Sequence, residues 1–253
     1  LVSGDIVASS HAEALNDGTA RARMFLDRLD LSDPTAPKML DKLNIPGEAI
    51  HYDHASGLLV SIEYDVQVKP LSQDACWEEN TQNQYFDQNE CRYYERYLNV
   101  LKIDGAAALR VAREQVDGTG ADKDWFMRSL AVTNERVFVS QQRQRLFQTS
   151  QESGDVYEVA NATRVFTTEQ LEDLGAVEEQ PGWSWTRLKA RGSRAFVDQY
   201  GGELVVYDAS DAAQEPTVKA YEVYGWGCES LEVREGQAFC ASGKNGVRAF
   251  ELE

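Results

Sequence analysis

No apolar run in the chain is long enough to cross a membrane as a helix, which excludes a helical span within this sequence. Positive charge is scarce: 25 Lys and Arg stand against 42 Asp and Glu, for a formal net charge of −17 at pH 7. A phosphate-backbone partner requires a basic patch that releases counterions, so nucleic acid is excluded as a partner. The acids are spread along the chain and read as a solvated surface that favours solubility. Catalytic signatures are also missing. There is no HExxH, no GxSxG, no glycine-rich phosphate loop and no nucleophilic cysteine with its histidine, so no catalytic residue is assigned. The first residues, Leu1-Val2-Ser3-Gly4, include no methionine and no signal-peptide pattern; an export signal is expected to have been removed or to lie upstream.

What the sequence does contain is a recurring order of strand, polar turn, strand and closing glycine. The stretch from Phe25 to Gly47 carries Leu29 and Leu31, breaks at Ser32-Asp33-Pro34, resumes through Met39, Leu40, Leu43 and Ile45, and stops at Pro46-Gly47. An Asp/Ser/Pro cluster favours a turn and proline has no amide for a central ladder, so the stretch predicts a β-hairpin. A second copy runs from Glu203 to Gly225 with Ser210-Asp211, Pro216 and the terminal glycine in the same order. A third begins at Tyr97-Leu98-Asn99-Val100, continues through Leu109-Arg110-Val111-Ala112 and ends at Gly118. After each closing glycine comes another hairpin, as in Ala49–Tyr52 with Leu58–Ile62 and Ser230–Val233 with Gln237–Cys240. Four strands per period follow.

The clearest spacing, from Gly182 to Gly225, is 43 residues, within the range of four-stranded propeller blades. The fold class predicted is therefore all-β: one β-propeller domain or propeller fragment over 1–253, with about three full blades and partial blades at both ends. Sandwiches and barrels are the competing architectures, since short alternating strands build them without a fixed period. Two insertions, at about 65–96 and 141–163, fall between the second and third strands of their blades. The third strand of the third blade is either Asp155–Val159 or Arg164–Phe166. At the N-terminal end Asp5–Ser10 reads as the second strand of a blade without its first, and Gly246–Glu253 as a third strand without its fourth, so a longer propeller chain is expected to complete the arc, the alternative being that Leu1–Ser10 is the closing outer strand of an irregular first blade.

The segments Leu29-Asp30-Leu31-Ser32-Asp33-Pro34 with Pro37, and Leu204-Val205-Val206-Tyr207-Asp208-Ala209-Ser210-Asp211 with Pro216, resemble the LVIVD-type repeat of secreted bacterial and archaeal propellers. These include secreted proteins with a C-terminal β-propeller distantly related to WD repeats. The resemblance implies a fold and a compartment, and carries no catalytic residues.

Candidate sites cluster on one face. Loops joining second to third strands, and fourth strands to the next first strand, leave a blade at the same end, and long loops on a rigid scaffold are where binding resides. The first insertion holds Trp77, Tyr85, Phe86, Tyr93 and Tyr94, and Trp183 and Trp226 follow closing glycines on that face. Tyrosine and tryptophan are common interface anchors. The bland alternative is that the insertion rings pack the loop on its own blade and that the two tryptophans repeat a packing role. Asp117, Asp122 and Asp124 sit among glycines and could ligate calcium through oxygen, though they miss the twelve-residue calcium-loop pattern. An inter-blade turn explains them as well, and no other cofactor is implied. His51 and Asp53 share one side of a strand at the opposite end, where a surface role suffices.

Four cysteines lack any CxxC or His-Cys spacing for zinc. Cys76 and Cys91 bracket a polar loop that a crosslink would order, and Cys228 and Cys240 flank a hairpin. A Cys76–Cys91 disulfide is therefore expected; Cys228 and Cys240 could face each other across their hairpin, though a two-residue turn at Glu235-Gly236 would set them out of register by some residues, and paired cysteines imply an oxidising, extracytoplasmic compartment. The functional reading is a non-catalytic secreted or cell-envelope propeller that presents its insertion-bearing face to a protein or glycan. The alternatives are a secreted hydrolase or lyase using carboxylates in the central channel, and a purely structural module of a longer chain.

Overall fold

Strands whose residues alternate between two faces can bury both only if a layer lies on each side. The short Val- and Leu-rich strands of this chain are built that way. In a computed structural model, residues 1–15, 18, 21–70, 72, 84–87, 90–116, 130–147, 156–179, 188–199, 203–222, 228, 230–234, 236–241 and 246–252 are described, and they form strands and no helix.

The first sheet contains β1 (Val2–Ser3), β2 (Ile6–Ala14), β3 (Ala22–Asp30), β4 (Lys38–Met39) and β5 (Leu43–Ile45), with β4 and β5 both on β3. The second contains β6 (Glu48–Asp53), β7 (Leu58–Lys69), β8 (Gln84–Asp87), β9 (Glu90–Asp104) and β10 (Ala107–Gln115), in the order β10-β9-β7-β6 with β8 also on β9. The third is β11 (Leu130–Val132), β12 (Arg136–Phe147), β13 (Val156–Thr167) and β14 (Asp173–Glu179). The fourth is β15 (Lys189–Arg191), β16 (Arg194–Gln199), β17 (Glu203–Asp208) and β18 (Thr217–Glu222). The fifth has β19 (Ser230–Arg234), β20 (Gln237–Ala241) and β21 (Val247–Glu251). All pairings are antiparallel, and apart from β8, which joins β9 off the main path, each sheet is an up-and-down meander.

The sheets stack in chain order, and the side-chain alternation shows why. Leu59 and Leu101 of the second sheet pack with Ile6, Ala8 and Leu26 of the first. Their neighbours Leu58, Val60 and Val100 point the other way, against Val137, Val139 and Phe166 of the third. Phe138 and Val165 of the third then meet Ala195, Val197 and Val205 of the fourth. Phe196, Leu204 and Val206 of the fourth close on Leu231, Ala238 and Cys240 of the fifth. Fully burying one such side chain is worth about 1.5–3 kcal/mol, so it is this two-sided burial that holds the layers together.

Polar contacts align the layers end to end. Ser3, the last residue of β1, donates from its hydroxyl to Asp53 Oδ1 at 3.4 Å and accepts the His54 amide at 2.8 Å. His51 Nε2 lies 2.7 Å from Asn134 Oδ1 in the turn between β11 and β12. Thr133 Oγ1 donates to Gly192 O, between β15 and β16, at 2.6 Å. Lys189 and Arg191 of β15 donate to Leu231 O and Val233 O of β19. First turns therefore lie beside first turns or first strands from one sheet to the next. A second bond recurs within every sheet: the residue at or just past the end of the third strand donates its amide back to the first turn. The pairs are Leu31 to Asp5, Ile103 to Gly57, Thr168 to Glu135, Ala209 to Ser193 and Leu252 to Gly236.

Several expectations change in detail. Most described residues of the two insertions lie in strands. Residues of both continue the second and third strands as long hairpins, pairing Asp65 with Glu95 through Lys69 with Cys91, and Gln141 with Ala162 through Phe147 with Val156. The described residues of the two candidate third strands of the third sheet are parts of one strand, β13, since β12 is long enough to pair with both; Asp155 lies outside the described residues. The first sheet does have a first strand, the two-residue β1, because Val2 pairs with Val7 and Ser3 with Ile6.

Candidate functional site: the hairpin-bearing rim

Since every second strand starts at the aligned first turns, every connection from second to third strand leaves from the other end. Both long hairpins therefore project from one rim. In the second sheet the change from core to arm is visible along β7 and β9. Leu58 to Ile62 and Leu98 to Leu101 are buried, whereas the residues beyond them are polar on the side facing the first sheet.

There, side chains along β9 and across β7, β9 and β10 hold one another. Tyr97 donates its hydroxyl to Glu95 Oε2 at 2.6 Å, and Gln67 Nε2 donates to Glu95 Oε1 at 3.0 Å. The Arg113 guanidinium lies 3.5 Å over the Tyr97 ring and donates to Glu63 Oε2 at 3.4 Å. The bond to Glu95 raises the Tyr97 phenol above its usual range. Deeper in, Ser61 donates to Pro46 O and pairs across strands with Asn99, both fully buried. Such cross-strand pairs stabilise the hairpin by about 0.2–1 kcal/mol each.

At the far end the arm becomes three-stranded. β8 pairs with the start of β9, so that Tyr85 lies opposite Arg92 and Phe86 opposite Cys91, while β7 places Gln67 opposite Tyr93 and Val66 opposite Tyr94. Four of the aromatics singled out from the sequence, Tyr85, Phe86, Tyr93 and Tyr94, are thus gathered on neighbouring strands of one hairpin end. Trp77, Trp183 and Trp226 lie outside the described residues, as do the calcium candidates Asp117, Asp122 and Asp124.

Cys91 is fully buried and disulfide-bonded; Cys76, its expected partner, lies outside the described residues. Cys228 and Cys240 are bonded to each other, with Cα atoms 5.2 Å apart. The two-residue turn of β19 and β20 sets Leu231 opposite Cys240, and Cys228 reaches it from just before the strand. Among the described residues no group of three His, Cys, Asp or Glu is arranged to hold a metal.

The opposite rim is occupied by structural bonds. Burial pushes the His51 imidazole below its ordinary value, against the bond to Asn134 and the charge of Asp53. Asp53 accepts from Ser56 Oγ at 2.6 Å, which holds its carboxyl below the usual range. The Asp turns read from the sequence form on this rim: Asp30 accepts the Ser32 amide and Asp208 the Ser210 amide, and Asp33 accepts from Thr35 as Asp211 does from Ala213.

One surface escaped the sequence reading. On the outer face of the first sheet, Val2, Val7, Leu29 and Met39 form a row across β1 to β4 by direct pairing. Val2 is 75% exposed and Met39 61%. Alternation of apolar positions predicts that a strand buries them, but not that a terminal layer leaves them open. No protein-family model matches the chain, and no curated protein matches it.

Proposed function

We propose that the chain is a non-catalytic, extracytoplasmic binding scaffold of the β-propeller type, whose hairpin-bearing rim engages a protein or glycan. The observation that carries this reading is the line of contacts joining consecutive first turns, from Ser3 to Asp53, His51 to Asn134 and Thr133 to Gly192, which leaves both long hairpins on the other rim. The bond from the third strand to the first turn, present in all five sheets, supports a repeated blade of LVIVD type. Blades radiating around an axis bury both faces of every inner sheet, as the second, third and fourth sheets do here. The uncovered row from Val2 to Met39 on the first sheet supports a further blade-like layer, belonging to a longer propeller chain, as its cover.

The disulfides support the extracytoplasmic reading, since such bonds persist in oxidising surroundings. No helix among the described residues is long and apolar enough to cross a membrane. The test is retention: immobilised full chain is compared with a variant in which 70–90 is replaced by a short Gly-Ser turn, using a glycan array and envelope extract as ligand sources. Retention that disappears with the hairpin end supports the reading. Retention unchanged by the replacement, or none from either source, contradicts it.

A further inference from the structure

The fourth and fifth sheets leave a cleft of about 570 Å³ beside their first strands, lined by Lys189, Arg191, Phe196, Glu232, Val233 and Arg234. A smaller hollow of about 250 Å³ shares Arg191, Phe196 and Val233 with it and adds Arg194 and Leu252. Alternation along β15 puts Lys189 and Arg191 on one side, two residues apart, toward β19. Each is held by one bond: Lys189 Nζ donates to Leu231 O at 2.7 Å, and an Arg191 Nη donates to Val233 O. These bonds satisfy two carbonyls of β19 and fix both cations at the cleft. They use one donor of each side chain, leaving two on the ammonium and four on the guanidinium.

The lining is cationic in an acidic molecule, with Lys189, Arg191 and Arg234 against Glu232. Arg194 is neutralised by Asp208 at 2.6 Å and Arg234 by Glu232 at 3.3 Å. Lys189 and Arg191 have no carboxylate within ion-pairing distance among the described residues, in a chain whose net charge is −17. The floor is apolar, formed by Phe196, which is 1% exposed, together with Val233. Two positioned cations with free donors above an apolar floor suit a flat, multidentate oxygen anion, and a guanidinium fork binds carboxylate and phosphate alike. The volume lies within the range of small-molecule pockets, about 300–1,000 Å³.

We propose that this cleft is a binding site for a small ligand carrying an oxyanion, a carboxylate or a phosphate, with Lys189 and Arg191 as its anchors. The site is on the first-strand side of the sheets, away from the long hairpins, and does not depend on what those hairpins bind.

The test titrates the full, oxidised chain at low ionic strength with inorganic phosphate and, separately, with malonate, followed by amide chemical shifts. Expected are saturable shifts centred on β15 and β19, weakened about tenfold or more in Lys189→Gln/Arg191→Gln and unchanged in Arg110→Gln, which lies outside the cleft. Saturation by phosphate alone assigns a phosphate-bearing ligand, and by malonate alone a carboxylate-bearing one; either supports the site. Should the double variant fail to fold, the unaltered chain decides through salt, since binding through these cations must weaken as NaCl rises. Absence of saturation with both anions, shifts centred elsewhere, or binding indifferent to salt would overturn the proposal.

Discussion

Thr133 Oγ1 is bonded to Gly192 O across 2.6 Å, joining the first turn of the third sheet to that of the fourth. The same hydroxyl accepts the amides of Glu135 and Arg136 at 3.2 and 3.0 Å, and Thr168 Oγ1 donates to Thr133 O at 3.0 Å. Thr133 and Thr168 are both buried, so the polar groups depend on one another for partners. Thr133→Val keeps the shape and leaves a half-buried carbonyl and two amides without this partner. It is expected to cost about 1–3 kcal/mol in urea unfolding, with Thr133→Ser retaining most of the stability.

Gly47 closes the connection from the first sheet to the second with φ +75°, and a Cβ there would lie 2.0 Å from Ile62 O. The carbonyl belongs to a buried central strand and cannot withdraw. Gly47→Ala is expected to destabilise by about 3 kcal/mol or more, whereas Gly105→Ala, with nothing within 4 Å, costs only its backbone strain of about 1 kcal/mol. Thermal melting of the two variants side by side checks this.

The pH dependence has two windows. His51 has a lowered folded pKa, so between that value and the unfolded 6.5 the unfolded chain binds more protons; its share of stability is complete above 6.5 and falls as pH drops below it. His11 acts in the opposite sense: its bond to Glu13 raises it, and its share is lost as pH rises through the folded value. Stability of His51→Gln relative to the parent is therefore expected to rise as pH is lowered from 7.5 to 5, measured by denaturant midpoint. Below about pH 4 a second loss follows. There Asp30, Asp33 and Asp53, all held low by turn hydrogen bonds, become protonated.

Opening the Cys228–Cys240 bond releases a loop with a sequence separation of 12. Loop-closure entropy for that length is about 2–3 kcal/mol, so Cys228→Ser/Cys240→Ser is expected to lower the melting midpoint while the first four sheets keep their order. Hydrogen exchange resolved by sheet separates local from global loss, and equal loss in all five sheets would contradict the expectation.

Elements set by local chemistry were legible in the sequence. Asp30-Ser32-Asp33 and Asp208-Ser210-Asp211 announce turns because the carboxylates bond amides two residues on, and these bonds are present. Core strands such as Leu58–Ile62 were legible from apolar alternation. The hairpin continuation Gln141-Gln142-Arg143-Gln144-Arg145 was not, because a run without apolar residues has no period to detect. The cationic cleft was illegible for another reason: Lys189 and Arg191 meet β19 some forty positions later only when two sheets stack. The row from Val2 to Met39 looks like any core set until the layering shows that nothing among the described residues covers it.

Emergence of both long hairpins from a single rim is the relationship on which the binding reading rests. Spin labels at Val68→Cys and Gln144→Cys, one on each hairpin, are compared by double electron–electron resonance with labels at Val68→Cys and Glu135→Cys, the latter in the first turn of the third sheet. Glu135 and Gln144 stand about 30 Å apart along β12 at roughly 3.3 Å per residue. The two hairpin labels are predicted to give the shorter distance. A shorter distance between Val68→Cys and Glu135→Cys would place the hairpins on opposite rims and contradict the account.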